Sequence, residues 1–260
     1  MRFVHILLLH FEDALQERMR ALIWFLMSLV NPLLLILFWN GALGKSGMMN
    51  GWTRTDINTY YLLLIVTSSI LISHVEDKIG TMDIRGGGLV RYLTRPFSYF
   101  WLCFFEEIPY RLLQGIFAVI GFIILTSLIP ITHIPPVTIW TLLILIGALL
   151  LSFLMQASVA LIAFWIVEVG GIFDTLEVVR LVLGGTILPI ILLPNWIINI
   201  AYISPFAYTA YFPITSIQGK LSSETQLWVL CMQGIWIILF ICLYKILWFF
   251  GLKKFSGVGQ

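Results

Sequence analysis

Residues 75–96 read VEDKIGTMDIRGGGLVRYLTRP, and this stretch decides how the chain is organised. It carries seven charged side chains, Glu76, Asp77, Lys78, Asp83, Arg85, Arg91 and Arg95, around three consecutive glycines, Gly86, Gly87 and Gly88. Long apolar runs flank it on both sides. Of 260 residues, 60% are hydrophobic and 11% are charged. A soluble domain carries about 25% charged residues, so too little charge is present for a water-facing surface. Lipid must cover most of this chain. The polar stretch then lies at the membrane surface, between two crossings.

Working outward, the apolar runs predict an all-α integral membrane protein with six crossings in one domain, residues 1–260. The crossings fall at about residues 21–39, 57–74, 111–129, 137–167, 176–193 and 225–249. Each is near the roughly 20 apolar residues that a spanning helix needs. Residues 1–20 place Phe3, Leu7, Phe11 and Leu15 at helical spacing, with Glu12, Gln16 and Arg20 on another face. That pattern fits an interfacial amphipathic helix or a polar extension of the first span. Residues 97–110, with Glu106, Glu107 and Pro109, suit a helix that enters the membrane at a shallow angle. Residues 194–224 are aromatic, proline-punctuated and charged only at Lys220 and Glu224, which predicts short re-entrant helices.

Charge placement orients the chain. Of 15 Lys and Arg, 12 fall on the side of the six-span arrangement that holds both termini and residues 75–96. Lys45, Arg54 and Lys220 fall on the other. The positive-inside rule then puts both termini and the polar stretch in the cytoplasm. Almost no charge lies deep within a span, whereas ion-coupled carriers keep ionisable groups there.

Several chemistries are excluded. Gly44-Lys45-Ser46 invites a phosphate-loop reading, but position 39 is Trp where that motif needs glycine, and the preceding element is a helix. Three cysteines without a CxxC pair, and four scattered histidines, provide neither a disulfide framework nor a metal site. No nucleophile–base constellation is present. A small net charge of +2 gives no reason to expect a nucleic-acid partner. Candidate pathway or gate residues are Asn31 and Pro32 (a hinge or a tolerated kink), Glu168, and Pro205, Phe206 and Tyr208 in the aromatic segment (a gate or an interfacial belt).

Three sets of residues resemble the transmembrane subunit of ABC exporters of the ABC-2 type, most of all the branch often encoded with a second permease. Glu76-Asp77-Lys78-Ile79-Gly80-Thr81-Met82 and Leu93-Thr94-Arg95-Pro96 are similar to the family's polar-x-Gly-Thr-Leu and Leu-x-x-Pro steps. Ala163-Phe164-Trp165 with Glu168 resembles the end of the fourth span. Gly184-Gly185 to Pro189, Pro194-Asn195-Trp196, Pro205-Phe206, Pro213 and Gly219 follow the family's later Gly and Pro series. The resemblance implies a permease in the bacterial cytoplasmic (inner) membrane with no cofactor of its own. It implies ATP and Mg in separate ATP-binding subunits, and a second permease, identical or different, alongside. It also implies that residues 75–96 form a coupling helix for the ATPase, with Glu76, Gly80, Asp83, Arg85, Gly86, Gly87, Gly88, Arg91, Arg95 and Pro96 as contact residues. The cations could equally anchor the loop at anionic headgroups. The alternative activity is an ATP-independent secondary carrier or channel.

Overall fold

A computed structural model describes residues 10–43 and 47–255, mostly as helix and with almost no strand. Residues 1–9, half of the expected interfacial helix, lie outside the described residues, as do Gly44-Lys45-Ser46 and the extreme C-terminus. Residues 10–16 are helical.

The principal helices are α1 (Arg18–Ala42), α2 (Arg54–Leu71), α3 (Val90–Leu93), α4 (Tyr99–Thr126), α5 (Ile139–Ala160), α6 (Gly170–Leu183), α7 (Asn195–Ile203), α8 (Tyr211–Ile217) and α9 (Ser223–Lys254). Met48–Met49 and Trp52–Thr53 pair as a minimal antiparallel hairpin before α2. Among the described residues, four helices are long and apolar enough to cross a membrane: Arg18–Ala42, Tyr99–Thr126, Ile139–Phe164 and Ser223–Lys254.

The axis of the bundle is α2. Its residues from Asp56 to Ile65 are all buried, which only a helix packed on every side can achieve. It lies against α1, α4, α5 and α8. Its start is sharp because Thr53 and Asp56 form a capping box. The Asp56 N–H donates to Thr53 Oγ1 at 3.2 Å, and the Thr53 N–H donates to Asp56 Oδ2 at 2.9 Å.

Polar groups on this first half of α2 tie down three distant segments. Thr59 Oγ1 lies 3.0 Å from Thr132 Oγ1, and Asn58 Nδ2 donates to the Pro130 carbonyl at 3.2 Å. Tyr60 and Tyr61 donate to the carbonyls of Gly185 and Ile187 at 2.7 and 2.6 Å. Lys220 Nζ stands 2.9 Å from Asp56 Oδ1 and 4.7 Å from the centroid of the Trp52 ring. Around these anchors the first apolar core gathers Ile57, Leu62, Leu64, Tyr208, Phe212 and Ile214. A second core draws on Val75, Ile79, Ile84, Leu89 and Tyr99, the end of α5, Phe173 of α6 and Tyr244 of α9. Both α5 and α9 contribute to each core and hold the two poles at a fixed distance.

Two expected crossings differ from the prediction. The second, expected over residues 57–74, forms α2, an 18-residue helix rising about 27 Å that is not among the four membrane-length apolar helices. The fifth, expected over residues 176–193, begins early at Gly170 and ends at Leu183 after 14 residues. Gly185 stops it with φ +80°, and Pro189 precedes a single 3-10 turn over Ile190–Leu192. The shallow helix expected over 97–110 and the third crossing are one element, α4, with Pro109 inside it. The aromatic stretch does break into short helices, α7, a 3-10 turn at Phe206–Tyr208, and α8.

A Cβ at Gly185 would stand 2.8 Å from the Tyr60 hydroxyl, at a φ of +80° that L-residues rarely adopt. Gly185→Ala should therefore cost more than about 1 kcal/mol. Thermal unfolding of the purified chain measures this, and an unchanged midpoint would refute the anchoring role of the turn.

Candidate functional site

Residues 75–96 fold into a structure that composition does not announce. Asp77–Arg85 is a nine-residue π-helix, a wide winding that is rare beyond a single turn and is frequent at functional sites. It ends where the Gly86 N–H donates to the Thr81 carbonyl at 2.9 Å. The chain then turns sharply into α3.

The three glycines meet three separate demands. Gly87 adopts φ +73°, which favours glycine. A Cβ at Gly86 would stand 2.5 Å from the Met82 carbonyl oxygen, and one at Gly88 would stand 2.9 Å from Asp83 Oδ1. The backbone wraps that closely because Asp83 lies inside the turn, 0% exposed. Tyr99 donates its hydroxyl to Asp83 Oδ2 at 2.7 Å, and Arg91 Nη2 donates to Oδ1 at 3.3 Å. The Leu89 N–H donates to the Asp83 carbonyl at 2.8 Å. A buried carboxylate is costly unless it is hydrogen-bonded and paired. Here both oxygens are engaged, and the carboxylate latches the π-helix to α3 and to the start of α4.

Tyr92 forms a second hub. Lys78, Arg91 and Arg95 approach its ring centroid to 5.5, 4.9 and 5.4 Å. Lys78 also pairs with Glu106 of α4. Burial opposes the charge on Lys78, but Cys103 and Glu106 outweigh it and hold the ammonium above its ordinary pKa. Next to it, Glu107 accepts from Ser73 Oγ at 3.0 Å, from the His74 N–H at 3.3 Å and from Arg111 Nη2 at 2.7 Å. Arg111 Nη1 donates to the Ile70 carbonyl at 2.9 Å. The last turn of α2 leaves carbonyls without partners inside the helix, and Arg111 satisfies one of them. The α2 terminus, the π-helix and α4 are thus one polar-bonded unit.

The predicted contact residues divide into inner and outer sets. Asp83 is internal, so its carboxylate is not a free docking charge. Gly80 is internal as well: a Cβ there would stand 2.9 Å from the Phe173 ring of α6. Glu76 Oε2 and Arg85 Nε are buried without a hydrogen-bond partner among the described residues. The outward face carries Thr81, Met82, Gly86, Val90, Arg91, Leu93, Arg95 and Pro96. Three of these are apolar and well exposed: Met82 at 64%, Val90 at 45% and Leu93 at 46%.

The pathway candidates do not converge on one place. Asn31 is exposed on α1 beside buried Pro32, and Glu168 is exposed in the connection after the fourth predicted crossing. Tyr208 lies in the first core at 0% exposure, its hydroxyl donating to the Tyr202 carbonyl at 2.7 Å. Pro205 and Phe206 are half-buried nearby. Sequence reading passed over Tyr99, Glu106, Glu107 and Arg111. One signal was available: Glu107 stands four residues before Arg111, a spacing that puts opposite charges together on a helix.

Tyr99→Phe removes the shorter hydrogen bond to Asp83. A hydrogen bond to a charged group contributes about 1.5–3 kcal/mol. Amide exchange at Leu89 should accelerate about tenfold or more, as followed by hydrogen–deuterium exchange. Unaltered exchange would show that Asp83 does not hold the turn.

No curated protein and no solved structure matches this chain. A family model described as ABC-2 family transporter protein matches residues 29–259. That match takes in α2, the latched segment, α4, α5, the short aromatic helices and α9. Together with four membrane-length apolar helices, it makes this a multi-pass membrane transport component of the kind that generally works with an ATP-binding subunit. The chain belongs to the ABC-2 transporter family, as a permease.

Proposed function

We propose that the chain forms half of the translocation pathway of an ATP-driven exporter in the bacterial inner membrane, with residues 75–96 as its coupling segment. In this reading the segment faces the cytoplasm, both termini lie on that side, and the backbone crosses six times. The second crossing is α2, and the fifth combines α6 with the broken stretch that follows it. The asymmetry of 12 against 3 basic residues supports this orientation. A second permease, identical or different, completes the pathway. ATP and Mg belong to a pair of ATP-binding subunits beneath. An apolar, aromatic interior suits an amphipathic substrate, whether drug, lipid or lipid-linked glycan.

One observation carries the coupling role: a rigid interior joined to an apolar outward face. Met82, Val90 and Leu93 are exposed on a segment whose inside is latched by Asp83, Tyr99 and Arg91. Exposed apolar side chains among cations suit a partner's cleft. Arg85 and Arg91 can pair with carboxylates there. Force received at this face reaches α2 and α4 through the Glu106 and Glu107 contacts, with little slack.

The test is a paired substitution on the outward face, Met82→Asp with Val90→Asp, in chain co-expressed with its ATP-binding subunit. Coupled ATPase activity should fall at least tenfold while membrane insertion and yield stay unchanged. Vanadate should stop transport by the unsubstituted complex. Transport that survives vanadate would favour the ATP-independent carrier, and intact coupling in the paired variant would remove this face from the mechanism.

A further inference from the structure

A groove of about 590 Å³ runs along the second pole, between the end of the latched segment, the start of α4, the later half of α5 and the last turns of α9. Its size falls within the roughly 300–1,000 Å³ typical of ligand sites. Its walls are apolar, with Phe97, Leu150, Leu154 and Ile241 among them. Its aromatic side is preformed. Trp248 stacks on Tyr99 at 5.1 Å and on Tyr244 at 6.0 Å, with interplanar angles of 13° and 9°. Phe100 meets Tyr244 edge-on at 5.1 Å. Tyr99 is in turn held by Asp83, so the latch fixes the groove as well.

Two cations border this groove, Arg95 and Lys245, and no carboxylate lines it. Both side chains are exposed. Arg95 packs over the Tyr92 ring, and no ion pair of either cation occurs among the described residues. Three walls come from helices long and apolar enough to cross a membrane, which suits a groove that opens toward lipid. Lys253 and Lys254 mark the same end of α9 as its membrane-surface end.

We propose that this groove is a binding site for an anionic phospholipid of the cytoplasmic leaflet. Its phosphate lies between Arg95 and Lys245, and an acyl chain lies along the Tyr99–Trp248–Tyr244 stack. Two cations and no carboxylate among the residues that line the groove favour an anionic headgroup, while Glu12, Asp13 and Glu106 border the neighbouring cavity on the other side of Arg95. Cation-bordered clefts between membrane helices on the cytoplasmic side suit such headgroups. The leaflet assignment rests on the orientation proposed above. This inference gives Arg95 a lipid-facing role, distinct from the partner-facing one of Met82 and Val90.

The experiment uses the full-length chain, equilibrated in membranes of equal phosphatidylglycerol and phosphatidylcholine, then extracted mildly and examined by native mass spectrometry. The unsubstituted chain should retain phosphatidylglycerol in preference to phosphatidylcholine. Arg95→Gln with Lys245→Gln should lower that preference at least threefold. Arg95→Lys with Lys245→Arg should preserve it, as should Lys253→Gln with Lys254→Gln, which removes charge at the same surface outside the groove. Absence of a preference, retention by the Gln pair at Arg95 and Lys245, or equal loss in the Lys253 and Lys254 pair would overturn the proposal. So would a chain that gains phosphatidylglycerol only after residues 2–9 are deleted, because its own N-terminus would then fill the groove. Labelling of Lys254→Cys from each side of sealed vesicles tests the orientation by itself. Labelling from outside would overturn the leaflet while leaving the lipid count to judge the site.

Discussion

The carboxylate of Asp83 is the point on which this structure depends. It sits 0% exposed at the centre of a tight turn, with one oxygen taken by Tyr99 and the other by Arg91. A charge so buried would be expelled or neutralised without those partners. With them it joins three backbone segments that also share the second apolar core: the π-helix, α3 and the start of α4. The glycines follow from the carboxylate. Gly88 leaves room for Oδ1, Gly86 clears the Met82 carbonyl, and Gly87 takes the left-handed turn between them.

From that point rigidity spreads in two directions. Toward the axis, Lys78–Glu106 and the Ser73, Glu107 and Arg111 cluster join the segment to the end of α2. Toward α9, Tyr99 continues into the Trp248 and Tyr244 stack. At the far pole the first half of α2 repeats the arrangement with neutral donors beside the Asp56–Lys220 ion pair. Tyr60, Tyr61, Asn58 and Thr59 hold backbone carbonyls and hydroxyls of remote turns. One central helix therefore has polar clamps at both ends and apolar packing between them. Such an element transmits displacement well, because neither end can shift without breaking several hydrogen bonds at once.

Much of this was legible in the sequence. Lipid solvation follows from 11% charge, and the long apolar helices α1, α4, α5 and α9 lie where hydropathy puts them. The polar stretch at 75–96 and the broken aromatic stretch at 194–224 are visible as interruptions. What composition could not convey is direction. Asp77 and Asp83 are the same residue six positions apart, yet one faces out and the other is the buried latch. Nothing in a short polar segment has the periodicity to separate them. The bounds of the fifth predicted helix differ for a related reason. Residues 184–193 are as apolar as a helix needs, and only the left-handed backbone at Gly185 and the Pro189 break reveal a turn. Tyr208 lay beyond reach as well, because an interfacial aromatic and a core aromatic have the same composition.

The proposed coupling requires the outward face of the latched segment to meet an ATP-binding subunit. Site-specific photo-crosslinking tests it most directly, with a benzophenone residue placed in turn at Met82 and at Met48, near the opposite pole. In membranes that contain the assembled transporter, position 82 should yield a covalent adduct with the ATP-binding subunit, and position 48 should yield none. An adduct from position 48, or none from position 82 in an assembled complex, would contradict the account.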